Sequence, residues 1–287
     1  MDLPPALGAA WGLRDQPRKG PKPGLTLPRI IEAGIRLADR DGLEAVSMAR
    51  VAAELGAAPM SLYRHVDSKD DLLELMTDIA WGPPVPELAG DNWRKKLAAW
   101  ARAMRQAMYA HPWALRVPIH GLPVYPNSVA WFEQGLDTLA ETPLSEQRKA
   151  STILLVSGYV RNEAMTGSDI EAAIRQAAAQ AAEQAAEQAA AQAAEQTGEQ
   201  AAEQAGEQPA EQAPEPGDPT RFASDPGEIW MRQYRDLLAE LTDPMRFPAI
   251  SRLLKSGAFD APDPPDDEFD FGLDRILDGV ERLIDQR

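Results

Sequence analysis

Apolar residues recur at three- and four-residue spacing through most of the first eighty positions, which predicts a run of amphipathic helices. Leu27, Ile30, Ile31, Gly34, Ile35, Leu37 and Ala38 share one face of a helix predicted from about Leu27 to Asp39. Thr26 stands where an N-cap is needed, Pro28 is tolerated in the first turn, and Gly42 suits the residue that ends the helix. A second helix follows the cap Ser47, with Met48, Val51, Ala52 and Leu55 inward and Arg50 and Glu54 outward, until Gly56 breaks it. A third, about a turn and a half long, begins near Ala58 or Pro59 and turns Leu62 and Val66 inward. Pro59, Met60, Ser61, Tyr63, Arg64 and His65 remain for its outer side. Ser68 to Asp71 is a capping box that opens a fourth helix, with Leu72, Leu73, Leu75, Met76, Ile79 and Ala80 as its apolar face. Helices joined at a glycine turn, with a short helix presented outward, have the form of a helix-turn-helix.

The pattern continues after Gly82-Pro83-Pro84. Trp93 to Ala110 carries the stripe Trp93, Leu97, Trp100, Ala101, Met104 and Met108, with Asp91 as its expected cap, and ends at His111-Pro112-Trp113. Further helices are expected from Asn127, from the cap Ser145, from Asp225-Pro226, and from about Glu268 to Ile284. β-Branched runs are nearly absent, so the predicted fold class is all-α: an N-terminal three-helix helix-turn-helix domain plus a C-terminal helical domain, to which the family resemblance described below implies ligand-binding and dimerisation roles. The expected divisions are a disordered basic arm over 1–24, a helix-turn-helix domain over 25–80 and a second helical domain over 88–287. Prolines at 4, 5, 17, 21 and 23 argue against a helix in the arm.

The segment 177–216 stands apart. It consists of four-residue units, mostly Ala-Ala-Glu-Gln, and no large apolar residue lies between Ile174 and Phe222. Ala, Glu and Gln favour helix. A period of four overshoots 3.6, so any stripe winds around the helix instead of forming a seam. A solvated low-complexity insertion, unable to join a core, is expected there.

The stretch Ile30-Ile31-x-x-Gly34, Asp41-Gly42-Leu43, Ser47-Met48-x-x-Val51-Ala52, Leu55-Gly56 and Leu62-Tyr63-x-His65-Val66-x-x-Lys69-x-x-Leu72-Leu73 resembles the DNA-binding domain of the tetracycline-repressor (TetR) family. Trp93-Arg94, His111-Pro112-Trp113, Pro126-Asn127 and Phe269-x-Phe271-Gly272-Leu273-x-x-Ile276-Leu277-x-Gly279-Val280 look like the regulatory domain of one branch of it. The resemblance implies a transcriptional regulator, most simply a repressor that a small hydrophobic effector releases from a palindromic double-stranded DNA operator. It implies phosphate contacts from Ser47, Arg50, Tyr63 and Lys69. Ala58, Pro59, Met60, Ser61 and His65 would face base edges, a mostly apolar set that favours thymine-methyl contacts and DNA shape over hydrogen-bonded readout. Lys69 also sits at a helix N-terminus, where free N–H groups favour a phosphate. The regulatory domain would supply a pocket and a homodimer contact. Pocket candidates are Trp100, Met104, Met108, Trp113, His120, Tyr125, Asn127, Trp131, Gln134, Tyr159, Asn162, Trp230 and Tyr234, aromatic and thioether surface with a few polar groups. The 145–165 helix and the last helix carry more apolar surface than one partner covers, which assigns them to a four-helix dimer contact. That contact would hold two recognition helices about 34–36 Å apart.

Charge complicates this picture. The chain carries a net −16, and residues 25–76 hold six Arg or Lys against nine Asp or Glu, where DNA-binding domains are usually basic. Position must substitute for quantity, with Arg50, Arg64 and Lys69 near the DNA. Arg14, Arg18, Lys19 and Lys22 of the arm are expected to follow a phosphate strand or enter a minor groove. There is no cysteine, and the histidines are only His65, His111 and His120, without metal spacing or a glycine-rich phosphate loop. No metal, cofactor or enzymatic activity is expected. No apolar run approaches the roughly 20 residues that span a bilayer, so no membrane partner and a cytoplasmic location are expected. Two other readings remain open: an all-helical small-molecule enzyme, and an adaptor whose acidic repeat is the working part.

Overall fold

The computed structural model describes residues 5–13, 25–119, 121, 124–203, 226–260 and 266–286, and these are helices and connecting turns with no strand among them. The chain divides into two compact units, residues 1–168 with 268–287, and residues 169–267.

The first unit opens with α1 (Pro5–Ala10). The prolines were expected to argue against a helix here, but Pro5–Ala10 is helical, and no proline falls among residues 6–10. Residues 5–13 are therefore not the disordered arm that the sequence suggested. Arg14, Arg18, Lys19 and Lys22 lie outside the described residues.

Four helices follow: α2 (Leu27–Asp41), α3 (Met48–Glu54), α4 (Pro59–Leu62) and α5 (Lys69–Trp81). Thr26 has the extended backbone of a cap, but its side chain accepts no capping bond. The other caps act as expected: the Arg50 N–H donates to Ser47 Oγ at 3.2 Å and the Asp71 N–H donates to Ser68 Oγ at 3.0 Å. Gly56 turns the chain between α3 and α4 with φ +62°, a conformation costly for residues bearing a Cβ. Ile30, Leu37, Val51, Ala52, Leu62, Val66, Leu72 and Met76 form one buried core. That core also takes in Trp113 and Ala114 from a 3-10 helix (Pro112–Arg116) far along the chain, and Val117, which follows it. Two positions on α5 depart from expectation. Ile79, assigned to the apolar face, is 49% exposed, and Asp78 is 3% exposed.

The second core of this unit is built from α6 (Trp93–Ala110), α7 (Pro126–Thr138), the first part of α8 (Glu146–Glu203) and α11 (Asp267–Asp285). Asn92, not Asp91, caps α6 by accepting from the Lys95 N–H at 3.0 Å; Asp91 instead pairs with the Lys95 ammonium. Leu97, Trp100, Ile153, Val156, Val160, Phe269, Leu273 and Leu277 fill the interior. Arg105 of α6 grips Glu163 of α8 through two N–H donors at 2.6 and 2.8 Å, with its guanidinium over the Phe269 ring. Gly135 lets α7 lie directly on Trp100: a Cβ there would stand 2.9 Å from the indole. Gly135→Val is expected to destabilise the protein by about 1–3 kcal/mol through overpacking. A thermal melt that leaves the midpoint unchanged contradicts that contact.

The second unit contains the remainder of α8, α9 (Pro226–Leu241) and α10 (Pro248–Lys255). The side chains of residues 175–193 of α8 are all exposed, as a stretch without large apolar residues requires. Residues 204–216 of the repeat lie outside the described residues. Trp230 stacks on Tyr234 at 5.6 Å, and Phe259 meets Tyr234 edge-on at 5.7 Å. The sequence reading missed α10, although Pro248 in its first turn and the spacing of Ile250, Leu253 and Leu254 signal it.

Candidate nucleic-acid interface and its connection to the regulatory core

The short helix α4 is held from beneath and open above. Leu62 and Val66 are fully buried, and the His65 and Val66 N–H groups both donate to the Leu62 carbonyl, which fixes the turn after the helix. Ala58, Pro59, Met60, Tyr63 and Arg64 face solvent, and Ser61 and His65 are half-buried. Met60 is 75% exposed and Tyr63 44% exposed, with no covering element among the described residues. A large apolar side chain standing in water costs free energy unless a partner covers it. The Ser61 hydroxyl donates to the Ala58 carbonyl at 2.6 Å, so only its oxygen lone pairs remain for a base. Lys69 is exposed in the first turn of α5, beside the cap Ser68. The DNA-facing residues expected from the sequence therefore do gather on α4 and the adjoining helix starts.

Arg50 differs from the others. Its guanidinium donates to Asp41 at 2.5 Å, and Arg40 joins the same carboxylate at 3.0 Å and Glu54 at 2.7 Å. The hydrogen bond from Arg40, followed by the charges of Arg40 and Arg50, holds the Asp41 carboxyl below the usual carboxylate range against the opposing effect of burial. Asp41 is thus charged at neutral pH, and a phosphate must compete with it for Arg50. Asp41→Asn is expected to steepen the salt dependence of DNA binding by about one unit and to tighten binding several-fold at low salt. An unchanged slope in a salt titration shows that Arg50 is no phosphate contact.

The residues expected to line a pocket are not brought together in one place. Trp100, Met108 and Trp131 are buried in the second core, with Met104 and Tyr159 packed against it. Trp100 Nε1 donates to the Trp131 carbonyl and Trp131 Nε1 to the Gly82 carbonyl, each at 3.0 Å. The Tyr159 hydroxyl donates to the Phe269 carbonyl at 2.8 Å. Trp113 belongs to the first core, and its Nε1 donates to Asp39 of α2 at 2.6 Å; His111 Nδ1 lies 2.8 Å from the same oxygen. Tyr125 also packs on the first core; burial, and then the hydrogen bond to Glu74 of α5, push its hydroxyl well above the ordinary tyrosine range. Asn127 is engaged with Asp78, and Asn162 is exposed. Trp230 and Tyr234 belong to the second unit, and His120 lies outside the described residues. Trp113, Tyr125 and Asn127 are thus fastenings between helices, a role that residue type alone does not separate from pocket lining.

Two buried polar atoms border the Gly82–Val85 turn without a partner. Gln134 donates through Nε2 to the Val85 carbonyl at 2.5 Å, but its Oε1 is buried and accepts nothing, and the neighbouring Trp81 Nε1 is buried and donates to nothing. Each such group costs about 1–3 kcal/mol until it is satisfied. Elsewhere, an open groove of about 390 Å³ runs between α8 and α11, lined by Thr152, Leu155, Ile276, Gly279 and Leu283. Leu154, Leu155 and Phe271 are exposed on the same two helices.

Asp39 and Asp78, which the sequence reading passed over, carry polar contacts from α2 and α5 to later segments, Asp39 to His111 and Trp113 and Asp78 to the start of α7. The only signal available was position: Asp78 falls three residues after Leu75, on the inner side of α5.

The comparisons with known proteins agree with this geometry. Residues 30–76 match the family model described as bacterial regulatory proteins, tetR family, and residues 85–218 match the tetracyclin repressor-like C-terminal domain. The HTH-type transcriptional repressor DrrR1 of Streptomyces coeruleorubidus is 33% identical over 292 residues, covering 100% of this chain and 88% of its own. An HTH-type transcriptional regulator of Saccharopolyspora erythraea is 33% identical over 184 residues, 61% of this chain and 76% of its own. Among solved structures, the TetR family protein ActR of Streptomyces coelicolor in complex with actinorhodin shares the fold with a TM-score of 0.62 at 24% identity, over 91% of this chain and 98% of that one. Helix-turn-helix, helical core and a relative matched along the whole chain lead to one conclusion: the chain belongs to the TetR family of bacterial transcriptional regulators.

Proposed function

We propose that the protein is a ligand-responsive repressor that binds a palindromic operator as a homodimer and is released by a small, mostly apolar effector. The observation that carries this reading is α4, with Met60 and Tyr63 exposed above the fully buried Leu62 and Val66. The DNA-binding domain spans about residues 25–80 and the regulatory domain follows from about residue 88. Tyr63, Lys69, Ser47 and, once freed from Asp41, Arg50 contact phosphates. Ala58, Pro59, Met60, Ser61 and His65 face the bases.

The partner in the dimer is a second copy, through α8 and α11. Leu155 is 57% exposed and Phe271 65% exposed, and beside them Gly279 has nothing within 4 Å of where a Cβ would stand. A second pair of helices would cover these side chains and fill the groove, since small residues permit close helix approach.

The effector site is best supported next to the Gly82–Val85 turn, where the free Gln134 Oε1 and Trp81 Nε1 each await a partner. The matching molecule offers a donor to the glutamine and an acceptor to the indole. The actinorhodin complex of ActR is a precedent within the fold for a small organic ligand. Binding there acts by population shift, favouring dimers whose α4 helices no longer match the groove spacing.

Binding to sheared duplex DNA and to a selected operator tests the DNA face. Tyr63→Ala and Lys69→Ala are expected to weaken both by similar factors, whereas Met60→Ala changes the preferred sequence. Equal losses on every sequence for all three substitutions remove the assignment of base-facing residues.

A further inference from the structure

The first turn of α7 has no cap of its own. Tyr125 stands at the cap position without a side-chain bond, and Pro126 brings no N–H, so the next two amides are left without helical partners. Asp78 of α5 supplies what is missing. The Asn127 N–H donates to its Oδ2 at 3.2 Å, and the Ser128 N–H and Ser128 Oγ each donate to its Oδ1 at 2.7 Å. Asn127 Nδ2 donates to the Asp78 main-chain carbonyl at 2.9 Å. The carboxylate is 3% exposed and stands at the positive end of α7, where a negative charge is favoured. The segment leading into α7 is held as well: Trp11 Nε1 donates to the Val124 carbonyl at 2.8 Å, and Tyr125 bonds Glu74, one turn before Asp78 on α5.

We propose that Asp78, a cap lent by the last DNA-binding helix to α7, is the positioning residue through which the regulatory core and the DNA-binding helices sense each other. Four hydrogen bonds converge on one buried residue, so α7 cannot shift along its axis without drawing α5 with it or breaking the cap. α7 also carries Gln134, whose free oxygen belongs to the effector site proposed above. α5 begins at Lys69, immediately after α4. A movement at one end of this path is therefore felt at the other. Coupling between sites is reciprocal, so DNA binding must in turn restrain the first turn of α7. The inference rests on the regulator reading, but its test needs no effector.

The test is amide hydrogen exchange on the full-length protein, free and bound to a duplex that the wild-type protein selects from a random pool. In the wild type, the duplex is expected to slow exchange at residues 127–130 by threefold or more. In Asp78→Asn, which replaces one of the two accepting oxygens with an NH2 donor, duplex affinity is expected to stay within about threefold while that slowing disappears. Slowing that persists in Asp78→Asn, or a wild type that binds its duplex without slowing these amides, overturns the proposal. A wild type that selects no duplex overturns the regulator reading and this inference with it. If Asp78→Asn loses its helical circular dichroism, Ser128→Ala replaces it. That variant removes one of the four bonds, and a reduced slowing supports the proposal while an undiminished one refutes it.

Discussion

Leu155→Arg is expected to prevent the proposed α8–α11 dimer from forming and to lower operator affinity by about two to four orders of magnitude. Leu155 is 57% exposed on α8 and lines the groove that α11 shares. In a dimer, its burial and that of its neighbours would contribute roughly 1.5–3 kcal/mol for each large side chain. An arginine there instead places a charge in a desolvated contact. DNA affinity falls with the dimer because the second half-site is then no longer bound from the same molecule, and linked binding is worth about 10²–10⁴ in affinity. Sedimentation and gel shift on one sample measure both quantities. A monomer that keeps its operator affinity, or a variant that stays dimeric, contradicts the assignment of this face.

The second large effect is on stability. Trp100→Ala is expected to destabilise the protein by about 3–5 kcal/mol, the range for truncating a buried aromatic residue. Trp100 is fully buried, meets Trp131 edge-on at 6.3 Å, and gives its indole N–H to the Trp131 carbonyl. Truncation opens a cavity between α6 and α7, leaves that carbonyl without its partner, and loosens the helix that Asp78 caps. The melting midpoint should fall by on the order of 10 °C. Trp100→Phe, which keeps most of the volume and loses the hydrogen bond, is expected to fall by less than half as much. Equal losses for the two variants would place the effect in the hydrogen bond and not in the packing.

These effects follow from features that the chain reveals to different degrees. The helix-turn-helix is legible because each short helix carries its own signals: Ser47 and Ser68 cap, Gly56 turns, and Leu62 and Val66 bury. Local chemistry and final structure agree there. The errors lie where a distant segment decides. Ile79 belongs to the apolar stripe of α5 by spacing, yet α7 docks on the side of Asp78, and that docking determines which residue is buried. Trp113 and Tyr125 have the composition of pocket walls, yet they pack on the core of α2 to α5, which nothing within residues 112–125 announces. Asn92 caps α6 although Asp91 is an equally good cap by type, because the adjacent Lys95 ammonium engages Asp91. The prolines near the start argue against a helix, yet Pro5–Ala10 is helical, because residues 6–10 contain no proline. Charge was the least informative quantity. A domain with more acid than base still presents Lys69 at a helix start, while Arg50 is covered by Asp41.

The central claim is that two copies of α4 are held one helical turn of DNA apart by the far end of the molecule. Selection of bound duplexes from a random pool by the purified full-length protein, followed by sequencing, tests it most directly. An inverted repeat is predicted, with half-site centres about 10 base pairs or a multiple of that apart, and Met60→Ala should shift the preferred bases symmetrically in both halves. Recovery of a single asymmetric site, or of no enriched sequence at low salt, would contradict it.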